Sequence, residues 1–150
     1  MLTMAAPIAL IDTLNSLLNA EQTSVFRFMG EGYPYLSRAT VEVRVRLQEM
    51  VATIEQRAIR LADQIERLGG VPDFAPRGVD REEQYLAFLS LKFLLPKLVD
   101  AKKTLIERYE NALGAMGKSE SRDLVSSLLE EHRSQLKTLE EAAARVASSK

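Results

Sequence analysis

The chain has 150 residues, of which 46% are hydrophobic and 27% charged, with a formal net charge of -1; this is the profile of a globular chain able to bury one core as a single domain, 1–150. So balanced a charge gives no general attraction to nucleic acid or anionic membranes. The absence of cysteine removes disulfides, thiolate nucleophiles, iron–sulfur clusters and Cys-based zinc sites, and fits a reducing compartment.

The opening stretch MLTMAAPIALIDTLNSLLNA has no basic leader, and Asp12, Asn15 and Asn19 cut its apolar run. Neither a signal peptide nor a membrane anchor is expected, and a cytoplasmic location is the default. A first helix is predicted over 8–29, ending at Gly30, Gly32 and Pro34, with Leu14, Leu17, Leu18, Val25 and Phe28 on one face. Tyr33, Pro34 and Tyr35 read as an aromatic turn packed over a bundle end. A second helix, 38–68, carries the stripe Leu47, Met50, Ile54, Leu61, Ile65 and Leu68. The segment GGVPDFAPRGVD, Gly69 to Asp80, then breaks the pattern in a long loop. Asp80 and Glu83 fit a capping box opening a third helix, 81–113, whose seam is Leu95, Leu98, Val99, Leu105, Ile106, Tyr109 and Leu113. Pro96 lies inside it and should kink it or displace one hydrogen bond. After a break at Gly114 to Ser121, a fourth helix, 121–147, shows Val125, Leu128, Leu136, Leu139 and Ala143, and the charge-rich tail beyond Glu140 reads as a solvated helix end. No segment has the pattern of a strand.

Each seam is interrupted once by an ionisable residue in register: Glu21, Arg57, Lys102 and His132. Each also has a plainer reading. Glu21 and Lys102 can snorkel to solvent along their stems, Arg57 can point outward while Ala58 takes the core position, and His132 sits in the polar run Glu130 to Arg133. Four apolar seams with four inward polar groups nonetheless describe an all-α four-helix bundle with a polar middle layer.

The segments LNAEQTSVFRF, RAIRLADQIERLGGVPDF and ERYENALGAMG resemble the ferritin-like superfamily, near bacterioferritin and rubrerythrin, and the likeness spans nearly the whole chain. The resemblance implies two metal ions mid-bundle, held by a Glu on helix one, Glu-x-x-His on helix two, Glu on helix three and Glu-x-x-His on helix four. Residue by residue, Glu21 matches the first ligand and His132 the last. Ile54 and Arg57 stand where the family has Glu and His, Lys102 where it has Glu, and Leu129 where it has the carboxylate three before His132. Two of six ligands are kept.

At an effective dielectric near 20, a unit charge roughly 5 Å from a divalent ion interacts by about 7 kcal/mol, so a Lys in place of a ligand Glu turns attraction into comparable repulsion. Arg57 cannot shed its proton, and Ile54 and Leu129 have no lone pairs. The remaining groups are expected to satisfy one another, with Glu21 bridging Arg57 and Lys102 and His132 adding a hydrogen bond. Two bases against one acid then require either that Lys102 or His132 be neutral, or that Glu55 or Glu131 lean in.

The functional expectation is a non-catalytic bundle without a working di-iron centre or any other cofactor. It would act as a structural or interaction module and form a homo-oligomer, a dimer first, through off-seam apolar residues such as Phe26, Leu91 and Phe93. The alternative is a metal-dependent oxidase or iron-handling protein in which Glu21, Glu55, Glu131 and His132 hold an ion at a rearranged site. A third reading, a helical coat on a membrane or granule, rests only on helix content and small net charge. No phosphate-binding glycine loop and no Ser/His/Asp set is recognisable, and neither nucleic acid nor membrane is an expected partner.

Overall fold

The computed structural model describes residues 5–23, 41–74 and 91–148. Among the described residues four α-helices make up the fold, α1 (Ala5–Gln22), α2 (Val41–Arg67), α3 (Leu91–Gly114) and α4 (Glu120–Ser148), and no strand occurs. Each buries the face that its 3.6-residue periodicity singles out. The seam residues Val25 and Phe28, the Tyr33–Pro34–Tyr35 turn and the Asp80/Glu83 capping box lie outside the described residues, as do 81–90 of the third predicted helix.

α1 packs chiefly on α2, and α3 chiefly on α4. The contacts give their directions. Ile11 near the start of α1 meets Gly70 just past the end of α2, and Leu113 at the end of α3 meets Arg122 at the start of α4, so both pairs are antiparallel. Gln64 near the end of α2 bonds Ser121 at the start of α4, whereas Thr53 bonds Gln135 further along it. α2 and α3 therefore run in the same direction, and the end of α2 lies at the opposite end of the bundle from the start of α3.

Local chemistry ends the helices where the chain turns. The Gly70 N–H donates to the Ile65 carbonyl and the Gly69 N–H to the Glu66 carbonyl, both at 2.9 Å, with Gly69 at φ 85°: a Schellman cap, which needs a residue free to adopt left-handed backbone. Gly70 is required for another reason, since a Cβ there would lie 2.7 Å from the Ile11 side chain. At the other turn the Arg122 N–H donates to the Ser119 hydroxyl at 3.1 Å, which makes Ser119 the N-cap of α4. The Arg122 guanidinium donates to the carbonyls of Leu113, in the last turn of α3, and Met116, just past its end. α3 continues through Pro96, which faces solvent; the ring supplies no N–H to the preceding turn.

Among the described residues the core is two apolar clusters. One contains Leu14, Leu17, Leu18, Leu61, Ile65, Leu105, Tyr109, Val125 and Leu128; the other contains Leu47, Met50, Ile54, Leu94, Leu95, Leu98 and Leu139. On α2, α3 and α4 alike the numbering passes from one cluster to the other across Arg57, Lys102 and His132. The polar layer thus separates them. No helix among the described residues is long and apolar enough to cross a membrane.

Candidate functional site

Glu21 in the last turn of α1, Arg57 in α2, Lys102 in α3 and His132 in α4 have 0%, 1%, 1% and 0% of their surface exposed. Each is placed by the stripe it interrupts: Glu21 three residues after Leu18, Arg57 three after Ile54, Lys102 three before Leu105, His132 four after Leu128. The snorkelling and outward-facing readings fail on burial. Arg57 and Ala58 are both buried and do not compete for one position.

The two Glu21 oxygens face different partners. Oε1 accepts from Arg57 Nε at 2.9 Å; Oε2 accepts from the Tyr109 hydroxyl at 2.6 Å and lies 2.5 Å from His132 Nε2. His132 Nδ1 is 3.1 Å from Lys102 Nζ, so with Lys102 donating to Nδ1 the ring proton sits on Nε2 and points at Glu21. The expected Glu21–Lys102 bridge is corrected here: Lys102 reaches the carboxylate through the imidazole, which is the shorter-reaching group and lies between them. Lys102 Nζ also donates to Gln135 Oε1 at 2.8 Å. Arg57 NH1 donates to Thr53 Oγ1 at 2.8 Å, and Gln135 Nε2 donates to the same hydroxyl at 2.8 Å. No buried side-chain nitrogen or oxygen among the described residues lacks a hydrogen-bond partner.

Burial pushes the Glu21 carboxyl up, but the bond from His132, the His132 and Arg57 charges and the Tyr109 hydroxyl outweigh it and hold the group at about 2. Burial, helped by the Arg57 charge, lowers Lys102 to about 7. Burial likewise lowers His132 to about 4 despite the adjacent carboxylate. Burial and the Glu21 charge raise Tyr109 well above the usual phenol range, so it stays a donor. At neutral pH the ionised pair is Glu21 with Arg57, and His132 is neutral. The outer charge comes from Glu131, whose Oε1 is 3.7 Å from Arg57 NH1 and whose Oε2 is 2.7 Å from Arg60. Of the two acids expected to lean in, Glu131 does so. Glu55 is exposed and lines a separate surface groove with Gln22, Ile59 and Phe74.

This donor set does not fit a pair of metal ions. Both Glu21 oxygens and both His132 nitrogens are engaged by protein groups; Ile54 and Leu129 are buried hydrocarbon. Arg57 and Lys102 bring positive charge and donors where ligands need lone pairs. Among the described residues, no three His, Asp or Glu side chains are grouped so as to hold a metal ion, and Glu55 stands apart from Glu21, Glu131 and His132. Sequence reasoning missed Tyr109, Thr53 and Gln135. Tyr109 was assigned to the apolar seam without a role for its hydroxyl. Thr53, four residues before Arg57, and Gln135, three after His132, share helix faces with the layer, and that spacing was the available signal.

No family model matches the chain, and no curated protein does. Among solved structures the chain is similar to the bacterioferritin of Desulfovibrio desulfuricans, whose crystal structure was described for its diiron site in different catalytic states. The TM-score is 0.80 with 18% sequence identity, over 95% of this chain and 82% of that one. With four helices and this overlap, the protein has the fold of a ferritin-like four-helix bundle.

Proposed function

We propose that the protein is a ferritin-like bundle without a working dinuclear metal centre, serving as a non-catalytic structural or interaction module. The observation that carries this reading is the engagement of the Glu21 carboxylate by Arg57, His132 and Tyr109 inside a layer whose other basic residue, Lys102, is also buried. A divalent ion entering there meets the Arg57 guanidinium, the donor hydrogens of Lys102 and no free carboxylate, and repulsion of several kcal/mol from the guanidinium charge at about 5 Å opposes it. Iron-handling at a rearranged site has no support from Glu55, which faces solvent. Self-association, as a cytoplasmic dimer first, is part of the proposal. It is supported by exposed apolar side chains off the seams, Ile8, Val45, Ile59, Val71, Phe74 and Phe93; of the three named from sequence, Phe26 and the Leu91 side chain lie outside the described residues. Neither nucleic acid nor a membrane surface is proposed as a partner.

The test is elemental analysis of protein expressed in iron- and manganese-supplemented medium, together with an aerobic Fe(II) oxidation assay. The expected result is sub-stoichiometric metal and oxidation no faster than the buffer control. Stoichiometric metal lost in Glu21→Ala or His132→Ala would restore the oxidase reading. Light scattering tests the oligomer, and a strict monomer would count against that part.

A further inference from the structure

The hydrogen bonds of the buried layer close on themselves. From Glu21 the circuit runs through Arg57, Thr53, Gln135, Lys102 and His132 and back to Glu21, drawing on all four helices, with Tyr109 as a side branch onto Glu21. The direction of each bond is fixed by chemistry. Arg57 only donates, Lys102 donates on both sides, and the Glu21 carboxylate only accepts. Thr53 spends its hydroxyl hydrogen on the Met50 carbonyl at 2.7 Å and so accepts twice. His132 and Gln135 are left as relays, each accepting from Lys102 and donating onward. Two sources, two sinks and two relays close the ring with every bond correctly polarised. Lys102 contributes two N–H groups to it. An apolar cluster lies on either side, so no step of the ring borrows a partner from a neighbouring polar layer.

Resting on the reading that no dinuclear centre operates here, we propose that this six-residue ring replaces a metal pair as a single unit: side-chain hydrogen bonds fasten the four helices, and the layer becomes a divalent-cation site only when positions 54, 57, 102 and 129 change together. Each single reversion fails for its own reason. Arg57→His supplies one imidazole but frees Glu21 Oε1 and Thr53 and leaves Lys102 in the layer. Lys102→Glu adds a carboxylate beside Glu21 while removing the donor to His132 and Gln135, so that Arg57 faces two buried anions. Ile54→Glu or Leu129→Glu buries a carboxylate at the edge of a layer already polarised throughout. Intermediates between the two arrangements hold unpaired buried charge, which is costlier than either end state.

The experiment compares the full chain, Arg57→His, Lys102→Glu and the quadruple Ile54→Glu/Arg57→His/Lys102→Glu/Leu129→Glu. It reads Co2+ absorption, and thermal unfolding with Co2+ and with EDTA. The native chain is expected to show no Co2+ band and a midpoint indifferent to both additions. The single variants lose midpoint and gain no band, and the quadruple variant gains the band with a midpoint that rises with Co2+. A single variant that binds Co2+ and is stabilised by it overturns the proposal, as does a folded quadruple variant that ignores Co2+. Stoichiometric metal in the native chain as purified would instead overturn the underlying reading. A second measurement needs no metal: Thr53→Val and His132→Gln sit across the ring from each other, and their combined loss of midpoint is expected to be smaller than the sum of the separate losses. Additive losses would show that the circuit does not act as a unit.

Discussion

Among the described residues Glu21 is the one carboxylate fully enclosed by the bundle, and three donors converge on it. Removing it strands the Arg57 guanidinium in the core, so Glu21→Ala is expected to cost on the order of 3 to 5 kcal/mol in chemical unfolding; an unchanged midpoint would contradict the layer. Tyr109→Phe deletes only one bond to a charged acceptor and should cost less, roughly 1.5 to 3 kcal/mol by the same measurement. At this scale the ionisable residues were legible because each interrupts an apolar stripe in register. Their partners were not. Thr53 and Gln135 are only partly buried, and a Thr or Gln on a helix flank has the same pattern as a solvent-facing residue. A Tyr in a seam is indistinguishable from any large apolar residue until its hydroxyl has a partner. The path from Lys102 through the imidazole was equally hidden, since side-chain reach across three helices is not a property of spacing along one.

Helix ends are decided by a few atoms, and here the glycines do different work. Gly69→Ala places a Cβ on left-handed backbone and should cost about 1 to 2 kcal/mol, with open space around it. Gly70→Ala drives a Cβ into Ile11 and is expected to loosen the α1–α2 corner. Calorimetry on the two variants, with Ile11→Val as a partial rescue for Gly70→Ala alone, separates conformation from packing. The predicted ends of the second and third helices, 68 and 113, fall within a residue of α2 and α3; the first is fixed by Gly69 on left-handed backbone, a cap that glycine announces in sequence. Pro96 was expected to disturb its helix; it sits on the solvent side of α3, where a missing N–H is least costly.

Across the whole molecule the four helices share one electrostatic layer, and its response to pH follows from the shifts. Glu21 is held below its ordinary value, so its contribution is present above pH 4.5 and is lost as pH falls toward about 2. His132 and Lys102 are also lowered, from 6.5 to about 4 and from 10.5 to about 7, so the unfolded chain binds the extra proton between those limits. All three therefore make stability rise with pH, whereas the raised Tyr109 reverses the slope above the ordinary phenol value. Urea midpoints are expected to climb from pH 4 to pH 9 and fall beyond 10, and His132→Gln should flatten the segment between 4 and 6.5. The bundle itself was legible from four seams and three breaks. The common direction of α2 and α3 was not, because it is set by which helix ends meet. Whether protein side chains or iron occupy the middle of the bundle is read from anomalous diffraction at the iron edge, on crystals of protein expressed with excess iron. Arg57 Nε is expected within hydrogen-bonding distance of Glu21, with no anomalous peak in the layer; a pair of peaks between Glu21 and His132, with Arg57 and Lys102 turned away, would contradict a bundle closed by its own side chains.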